Sequence, residues 1–239
     1  MIGLGTIINC SGILVGGILG LLLGRFLKKP MQEALTCTCG ICTLFIGIAG
    51  ALEGMLRING EHLISTGTML VVGCLALGTF IGELINIEHG FERFGEWLKQ
   101  KTGNAKDASF VNAFVTASLT VCIGAMAIVG SIQDGLTGNN TTLATKAVLD
   151  LIIIMVMTCA LGKGCIFSAI PVALLQGSVT ALSSLLRPIM TETALANLSM
   201  IGSILIFCVG VNLVWGKKVR VANMLPAVVF AVAAAFLPL

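Results

Sequence analysis

Long stretches that are almost free of charged residues recur along the whole chain and restrict what it can fold into. Only 10% of the 239 residues are charged and 56% are hydrophobic, whereas soluble domains carry about 25% charged residues. In lipid the backbone must satisfy its own hydrogen bonds, which favours helices. The sequence therefore predicts an all-α fold, a polytopic transmembrane helix bundle that forms a single transmembrane domain over residues 1–239.

The apolar stretches have the length of membrane spans, since a helix needs about 20 residues to cross the hydrocarbon core. Eight candidates cover residues 3–24, 35–55, 66–86, 108–132, 144–162, 165–185, 194–215 and 221–238. Because only Gly162-Lys163-Gly164 separates the fifth from the sixth, seven spans is the alternative count. The first span lacks a preceding positive segment and is followed by Arg25, so we expect it to be retained and not removed as a secretory signal.

Basic residues alternate from one predicted connection to the next. They follow spans one, three, five and seven, as Arg25, Lys28 and Lys29, then Arg93, Lys99, Lys101 and Lys106, then Lys163, then Lys217, Lys218 and Arg220. The other connections hold mainly Arg57 with Glu53 and Glu61, Asp134, and Arg187 with Glu192. Positive connections stay inside, so both termini are predicted to lie outside a bacterial inner (cytoplasmic) membrane. Lys163 alone supports one of these crossings.

The connection after span three has the pattern of an amphipathic helix near residues 88–101. Its apolar residues recur at helical spacing and its charged residues take the other side (Phe91, Phe94, Trp97 and Leu98 against Glu92, Arg93, Glu96 and Lys99). Such a helix is typical of a membrane interface. Binding of a partner protein is the alternative.

Glycine-rich segments suggest a repeat and close helix contacts. Residues 12–20 resemble residues 74–82, and residues 40–48 resemble residues 122–130, which is consistent with duplicated helix pairs. Glycine ladders (Gly16, Gly20 and Gly24, and Gly78 with Gly82) allow two helix backbones to approach closely. Together with the small size of the subunit, they predict a homo-oligomer embedded in membrane lipids.

Polar residues at or near membrane depth are the candidate functional residues, because polarity there is costly. Lys146 and Asp150 are one helical turn apart and can neutralise each other. The whole candidate set is Asn9, Ser131, Gln133, Asp134, Lys146, Asp150, Ser168 and Gln176. We expect these residues to converge between spans four, five and six on a site or pathway for a small ion or solute, to which Asn112 and Asn212 would add amide ligands. Alternatively, Lys146 and Asp150 form a structural pair and Gln133 and Asp134 cap span four.

The same segments carry a family resemblance. Five segments resemble the YdfK/YqgA family: the run from Cys122 to Leu136 with its Gly-Ser-Ile-Gln-Asp-Gly core, the Lys146/Asp150 pair, Phe-Ser-Ala-Ile-Pro171, Gln176-Gly177 and the opening Gly5-Thr-Ile-Ile-Asn9. That resemblance covers essentially the whole chain and implies a multi-pass bacterial inner-membrane protein. The family is classed under a domain of unknown function, so it implies no substrate or mechanism.

Several classes of function find no support in the sequence. Cys37, Cys39 and Cys42 do not share one helix face and have no second ligand pair, so no metal site and no cofactor is predicted. Most of the nine cysteines lie in apolar runs and are read as packing residues. The net charge of +3 is too small to suggest nucleic acid. Sequence signatures of hydrolases, metalloproteases and nucleotide-binding loops are absent, and we expect no enzyme.

The sequence therefore predicts a small-solute or ion transporter or channel. The alternative is a structural or partner-organising membrane protein without transport activity. An intramembrane enzyme would require two catalytic groups within hydrogen-bond reach in one cavity, and no such pair is visible. The transporter prediction requires that the polar candidates line a shared site, whereas the structural alternative requires that they fill packed helix contacts.

Overall fold

The computed structural model describes residues 2–60, 62–123 and 125–236. Glu61, Gly124 and the last two residues of the predicted eighth span, 237 and 238, lie outside the described residues. The helices are α1 (Leu4–Gly24), α2 (Lys29–Met55), α3 (Thr68–Ile85), α4 (Ile87–Lys101), α5 (Phe110–Cys122), α6 (Ala125–Thr137), α7 (Thr141–Leu161), α8 (Ala169–Ala181), α9 (Ser183–Leu186), α10 (Glu192–Trp215), α11 (Val221–Met224) and α12 (Pro226–Ala234). A 3-10 segment, Lys163–Ser168, leads directly into α8.

A short antiparallel hairpin is the one addition to the predicted all-α fold among the described residues. Its strands are β1 (Leu56–Asn59) and β2 (His62–Ser65), with Leu56 opposite Ser65. The hairpin follows the end of α2 and precedes α3, so it connects two membrane-length helices without changing the fold class.

The number of membrane-length helices is lower than predicted. Within the described residues, six helices are long and apolar enough to cross a membrane, namely α1, α2, α3, α7, Lys163–Ala181 and α10. The pair α5 and α6 is bent by 62° and gives a seventh crossing if the pair is one span. The predicted eighth span forms only the shorter helix Val221–Ala234, which reaches about 21 Å at 1.5 Å per residue. Eight spans are therefore not confirmed.

The helices form two groups. The first bundle contains α1, α5, α6, α7 and the 3-10 segment with α8, and the second contains α2, α3, α10, α11 and α12. The first bundle is centred on an apolar core in which Ile13, Ala117, Ile154, Cys165 and Val172 meet. Contacts of α2 with α7 and of α10 with α5 and α6 join the two bundles.

Glycines set the closest contact in the first bundle, between α1 and α7. Side-chain carbons added at Gly12, Gly16, Gly20 and Gly24 would meet the backbone of α7 at Ala147, Leu151, Met155 and Cys159. Both series advance by four residues in the same direction, so the two helices run parallel. Gly78 and Gly82 of α3 contact Ala227 and Asn223 in the same manner. Since both predicted ladders are used inside the subunit, they no longer argue for a homo-oligomer, which stays a prediction.

Helix α4 lies where the amphipathic helix was predicted. Only Asn86 separates it from α3, and the φ of Asn86 is 54°, a left-handed conformation that Asn tolerates. Arg220 holds this corner by donating to Asn86 Oδ1 at 2.7 Å and to Glu83 at 2.5 Å. Phe94 packs on Phe114 of α5, with ring centroids 5.8 Å apart. The position of α4 at a membrane surface stays a prediction.

The connections predicted to be cytoplasmic gather at one end of the molecule, here called the basic end. Gly24, Gln32, Ser109 and Gly162 line one cavity there, so the end of α1, the start of α2, the start of α5 and the end of α7 meet. Eleven of the fourteen Lys and Arg residues belong to this end, and the other three are Arg57, Lys146 and Arg187. The basic residues that alternate between successive connections along the chain are therefore gathered at one end of the folded protein.

The α1–α7 contact can be tested with Gly16→Ala. Alanine normally stabilises a helix interior by roughly 0.5–1 kcal/mol relative to glycine, but at Gly16 the methyl group would overlap the carbonyl of Leu151. We expect a lower melting temperature, measured on protein in detergent. Gly73→Ala in α3 is the matched control, since no described atom of another segment lies within 4 Å of the added carbon. Equal melting temperatures for the two variants would contradict the close packing.

Candidate functional site

Helices α1 and α7 each bury apolar residues in the half near the basic end and polar residues in the other half. On α1, Ile13 belongs to the apolar core and Asn9, one turn earlier, is fully buried. On α7, Ile154 belongs to the core, Asp150 lies one turn earlier and Lys146 one turn before that, with 3% and 7% of their surface exposed. Both helices run parallel, so their polar halves lie at the same end.

The same change occurs on α8 and α6. Val172 of α8 is in the apolar core, and Gln176, one turn later, is 1% exposed. On α6, Ala127 is buried and is followed at helical spacing by Ser131 and Asp134, which are fully buried. Together with Thr6 of α1, these polar residues are called the polar cluster, which consists of Thr6, Asn9, Ser131, Asp134, Lys146, Asp150 and Gln176.

Lys146 makes the central interactions of the polar cluster. Its Nζ lies 2.5 Å from Asp150 Oδ2 and donates to the carbonyl of Val121 at 2.9 Å. Val121 is next to the last residue of α5, where carbonyls have no partner in the following turn. The ammonium therefore neutralises Asp150 and also satisfies the carboxyl end of α5, which carries a partial negative charge.

Asp134 stabilises the start of α1. Its Oδ2 accepts a hydrogen bond from the Gly5 backbone N–H at 3.0 Å, and the first N–H groups of a helix have no partner within the helix. The capping alternative in the sequence placed Gln133 and Asp134 on span four, but both act on other helices. Gln133 Oε1 accepts a hydrogen bond from Thr142 Oγ1 of α7 at 2.7 Å.

Several atoms of the polar cluster have no hydrogen-bond partner among the described residues. They are Thr6 Oγ1, both side-chain amide atoms of Asn9, Ser131 Oγ, Asp134 Oδ1 and both side-chain amide atoms of Gln176. In folded proteins the large majority of buried polar atoms are paired, and an unpaired one costs about 1–3 kcal/mol. The polar cluster thus contains unpaired donors and acceptors that a polar ligand could bond.

Other candidates from the sequence lie elsewhere or are already bonded. Ser168 donates to the Cys165 carbonyl at 2.7 Å, at the junction of the 3-10 segment and α8. Asn212 holds the turn after α10, through bonds to Lys218 N and to the backbone of Val219. Asn112 lines the cavities at the basic end. Of the three asparagines, only Asn9 joins the polar cluster.

A cavity of about 730 Å³ lies between the two bundles at the basic end. It is called the vestibule, and Glu88, Glu92 and Lys217 line it. Lys217 Nζ lies 2.7 Å from Glu88 Oε1 and 2.6 Å from Glu92 Oε1. These three residues were not predicted as site residues. The sequence shows that Glu88 and Glu92 are one helical turn apart, but it does not show their partner, which follows Glu92 by 125 residues.

Charge pairing in the vestibule changes the acidity of Lys217. Partial burial by itself lowers the pKa of Lys217, but the hydrogen bonds and negative charges of Glu88 and Glu92 outweigh it and raise the pKa above its ordinary value of 10.5. Lys217 therefore stays charged throughout the physiological range. Glu88 is only 3% exposed, so this ammonium is its main source of neutralisation.

An apolar crevice of about 270 Å³ adjoins the vestibule, and Leu119 lines both. The crevice extends between the bundles to Cys122 and Ile123, where α5 ends. Lys146 bonds the carbonyl of Val121 in that same turn. The end of α5 therefore separates the crevice from the polar cluster.

Comparisons with known proteins give a family and no activity. The model of a family described as a protein of unknown function (DUF554) matches residues 4–236. The chain is 28% identical over 232 residues to the uncharacterized protein YqgA of Escherichia coli (strain K12), covering 95% of this chain and 94% of that protein. It is 26% identical over 223 residues to the uncharacterized membrane protein YdfK of Bacillus subtilis (strain 168), covering 93% and 91%. No solved structure matches the chain. The predicted resemblance is confirmed.

The capping role of Asp134 can be tested with two substitutions. Asp134→Ala leaves the Gly5 N–H without its acceptor, and loss of a helix cap costs about 0.5–2 kcal/mol. Asp134→Asn keeps an oxygen acceptor and loses only the charge. We expect the alanine variant to melt at a clearly lower temperature than the asparagine variant. If both lose the same stability, the charge and not the hydrogen bond is what matters.

The vestibule ion pairs can be tested by comparing adjacent lysines. Lys217→Ala leaves the buried Glu88 carboxylate without its cation and should lower the melting temperature, whereas Lys218→Ala should change it little. Because folding raises the pKa of Lys217, its ion pairs stabilise the fold fully at every pH below 10.5, the ordinary pKa of lysine. The loss of stability caused by Lys217→Ala should therefore be constant from neutral pH up to that value. It should vanish only as pH rises past 10.5 through the raised pKa of Lys217. Equal melting temperatures for both variants at neutral pH would contradict the pairing.

Proposed function

The chain belongs to the DUF554 family, and on that premise we propose that this membrane protein is a transporter or channel for a small polar solute or ion. The proposed site is the polar cluster, which lies between the bent pair α5–α6 (span four), α7 (span five) and α8 (span six), with α1 as a fourth wall. We further propose eight crossings, with α5–α6 counted as one span and Val221–Ala234 as a short last one.

The observation that carries the proposal is the surplus of unpaired polar atoms around a buried ion pair. Ionisable groups within membrane-spanning segments are costly and by default mark substrate or ion pathways. A purely structural ion pair needs only its own partners, but Gln176 adds a donor and an acceptor, and Asn9 an amide oxygen, that have no hydrogen-bond partner among the described residues. Binding of a polar solute or ion would satisfy them.

The break between α5 and α6 supports the same proposal. Transporters commonly build their sites from discontinuous helices, whose free carbonyls coordinate ions near the middle of the membrane. Here the carboxyl end of α5 faces the buried Lys146 and Asp150. The vestibule and the crevice lie between the bundles on the other side of this break, where a movement of one bundle against the other would open a route.

The charge separation supports a location in the bacterial inner membrane with the basic end in the cytoplasm. The vestibule would then face the cytoplasm, and the polar cluster would lie in the outer half of the membrane. A homo-oligomer is also proposed, supported only by the small size of the subunit. The apolar outer faces of α2 and α3 include exposed Phe45 and Phe80, which lipid or a second subunit can cover.

The test is transport by the purified protein in liposomes, with currents and internal pH recorded against a panel of ions and small metabolites. We expect a flux that Asp150→Asn abolishes, because the substitution removes the buried charge of the site. Asp107→Asn, which changes the one other aspartate besides Asp134 and Asp150 and lies in the loop before α5, should leave the flux unchanged. Size-exclusion profiles and melting curves establish that each variant is folded.

The contrary outcome favours the alternative. No flux across the whole panel, together with an Asp150→Asn variant that only melts at a lower temperature, would mean that the pair is structural. The protein would then act as a structural or partner-organising membrane protein.

A further inference from the structure

We propose that the Val121 carbonyl and the Asp150 carboxylate form a site for one monovalent cation, and that the Lys146 ammonium is the tethered cation that fills it. The inference deepens the proposed function, on which its role in transport rests. The cation site itself can be measured without any flux. The ligand class is a small monovalent cation, either inorganic or a primary ammonium ion.

The geometry around Lys146 Nζ is that of a cation held by oxygen atoms. A carboxylate oxygen lies at 2.5 Å and a main-chain carbonyl oxygen at 2.9 Å. Both side chains of the pair are more than nine-tenths buried. The carbonyl belongs to the carboxyl end of α5, where the helix dipole adds negative potential. Carboxylate and carbonyl oxygens are the ligands that hard cations prefer.

A third ligand is available from α1. The Asn9 side chain lies beside the Asp150 carboxyl, with its amide nitrogen as the group that can donate to it, and its amide oxygen has no hydrogen-bond partner among the described residues. The amide oxygen can therefore contribute to a cation at this position. The Gly12 contact with Ala147 fixes this approach, because it holds α1 against the residue that follows Lys146.

Charge balance explains why the cation is tethered. An unpaired buried carboxylate is strongly destabilising, so Asp150 requires one positive charge whenever it is ionised. The lysine supplies it from one turn away on the same helix, without drawing an ion from solution. The protein should therefore need neither Na⁺ nor K⁺ to keep this site neutral. Removing the lysine should make the site dependent on an added cation.

The experiment is chemical rescue of Lys146→Ala. The substitution removes Cγ, Cδ, Cε and Nζ, which together have the size and charge of n-propylammonium. We expect the purified variant to melt several degrees below the wild type and to recover most of that loss, saturably, on titration with n-propylammonium chloride. Na⁺ should recover part of it. Choline chloride controls for ionic strength, and n-propanol controls for filling of space without charge.

Matched variants define the site. Lys146→Ala combined with Asp150→Asn should lose the response to n-propylammonium, because the anionic ligand is gone. Lys101→Ala, an exposed lysine of α4, should show neither the loss nor the rescue. Folded Lys146→Ala that responds equally to n-propylammonium and choline would overturn the proposal, as would an undiminished response in the double variant. If Lys146→Ala cannot be purified, Lys146→Ser is prepared with n-propylammonium present throughout, and failure to fold even then overturns it.

A flux measurement separates this proposal from the proposed function. Wild-type flux of a solute other than Na⁺ should be the same in Na⁺ and in choline, and its flux by Lys146→Ala should require Na⁺ or n-propylammonium. If no flux is found but the rescue of stability is, the cation site stands and transport falls. If the wild type transports but Lys146→Ala shows no response to cations, transport stands and the cation site falls.

Discussion

The first bundle depends on the two interactions of the Lys146 ammonium group, one with the Val121 carbonyl and one with the Asp150 carboxylate. A helix that ends within a membrane leaves carbonyl groups that neither water nor lipid can satisfy. Lys146 satisfies one of them at Val121 while it neutralises Asp150. One side chain thus makes the break between α5 and α6 tolerable and connects it to α7. Without Lys146, the Val121 carbonyl would lose this hydrogen bond and the Asp150 carboxylate would lose its cation.

The glycines of α1 determine what the polar cluster contains. Because α1 lies directly against the backbone of α7, the start of α1 is held next to α6 and Asp134 can reach the Gly5 N–H. The same contact turns Asn9 toward the Asp150 carboxyl. The close packing of α1 on α7 therefore also determines where the polar groups of α1 lie. A longer side chain at Gly12 would move both the cap and the amide away from the ion pair.

The sequence predicted those features that depend on local periodicity. Apolar length located most of the helices, and a spacing of four residues predicted the Lys146–Asp150 pair. The second partner of Lys146 could not be predicted, since the Val121 carbonyl is free to bond Lys146 only because α5 ends at Cys122. The Asp134–Gly5 and Lys217–Glu88 contacts join residues more than 120 positions apart in the chain. Hydropathy measures the length of an apolar stretch and not where its helix bends or ends, so it revealed neither the 62° bend between α5 and α6 nor the short length of the helix Val221–Ala234.

A structural role and a transport role make different demands on the polar cluster. Lys146, Asp150 and Asp134 have the partners that a structural role requires. Replacing a buried ion pair with apolar residues is often neutral or stabilising, so stability alone does not explain why the pair is present. Gln176 is harder still to explain structurally, because both of its side-chain amide atoms lack a hydrogen-bond partner among the described residues. Its side chain contributes to stability only when something polar lies beside the amide, and this requirement favours a site that binds a ligand.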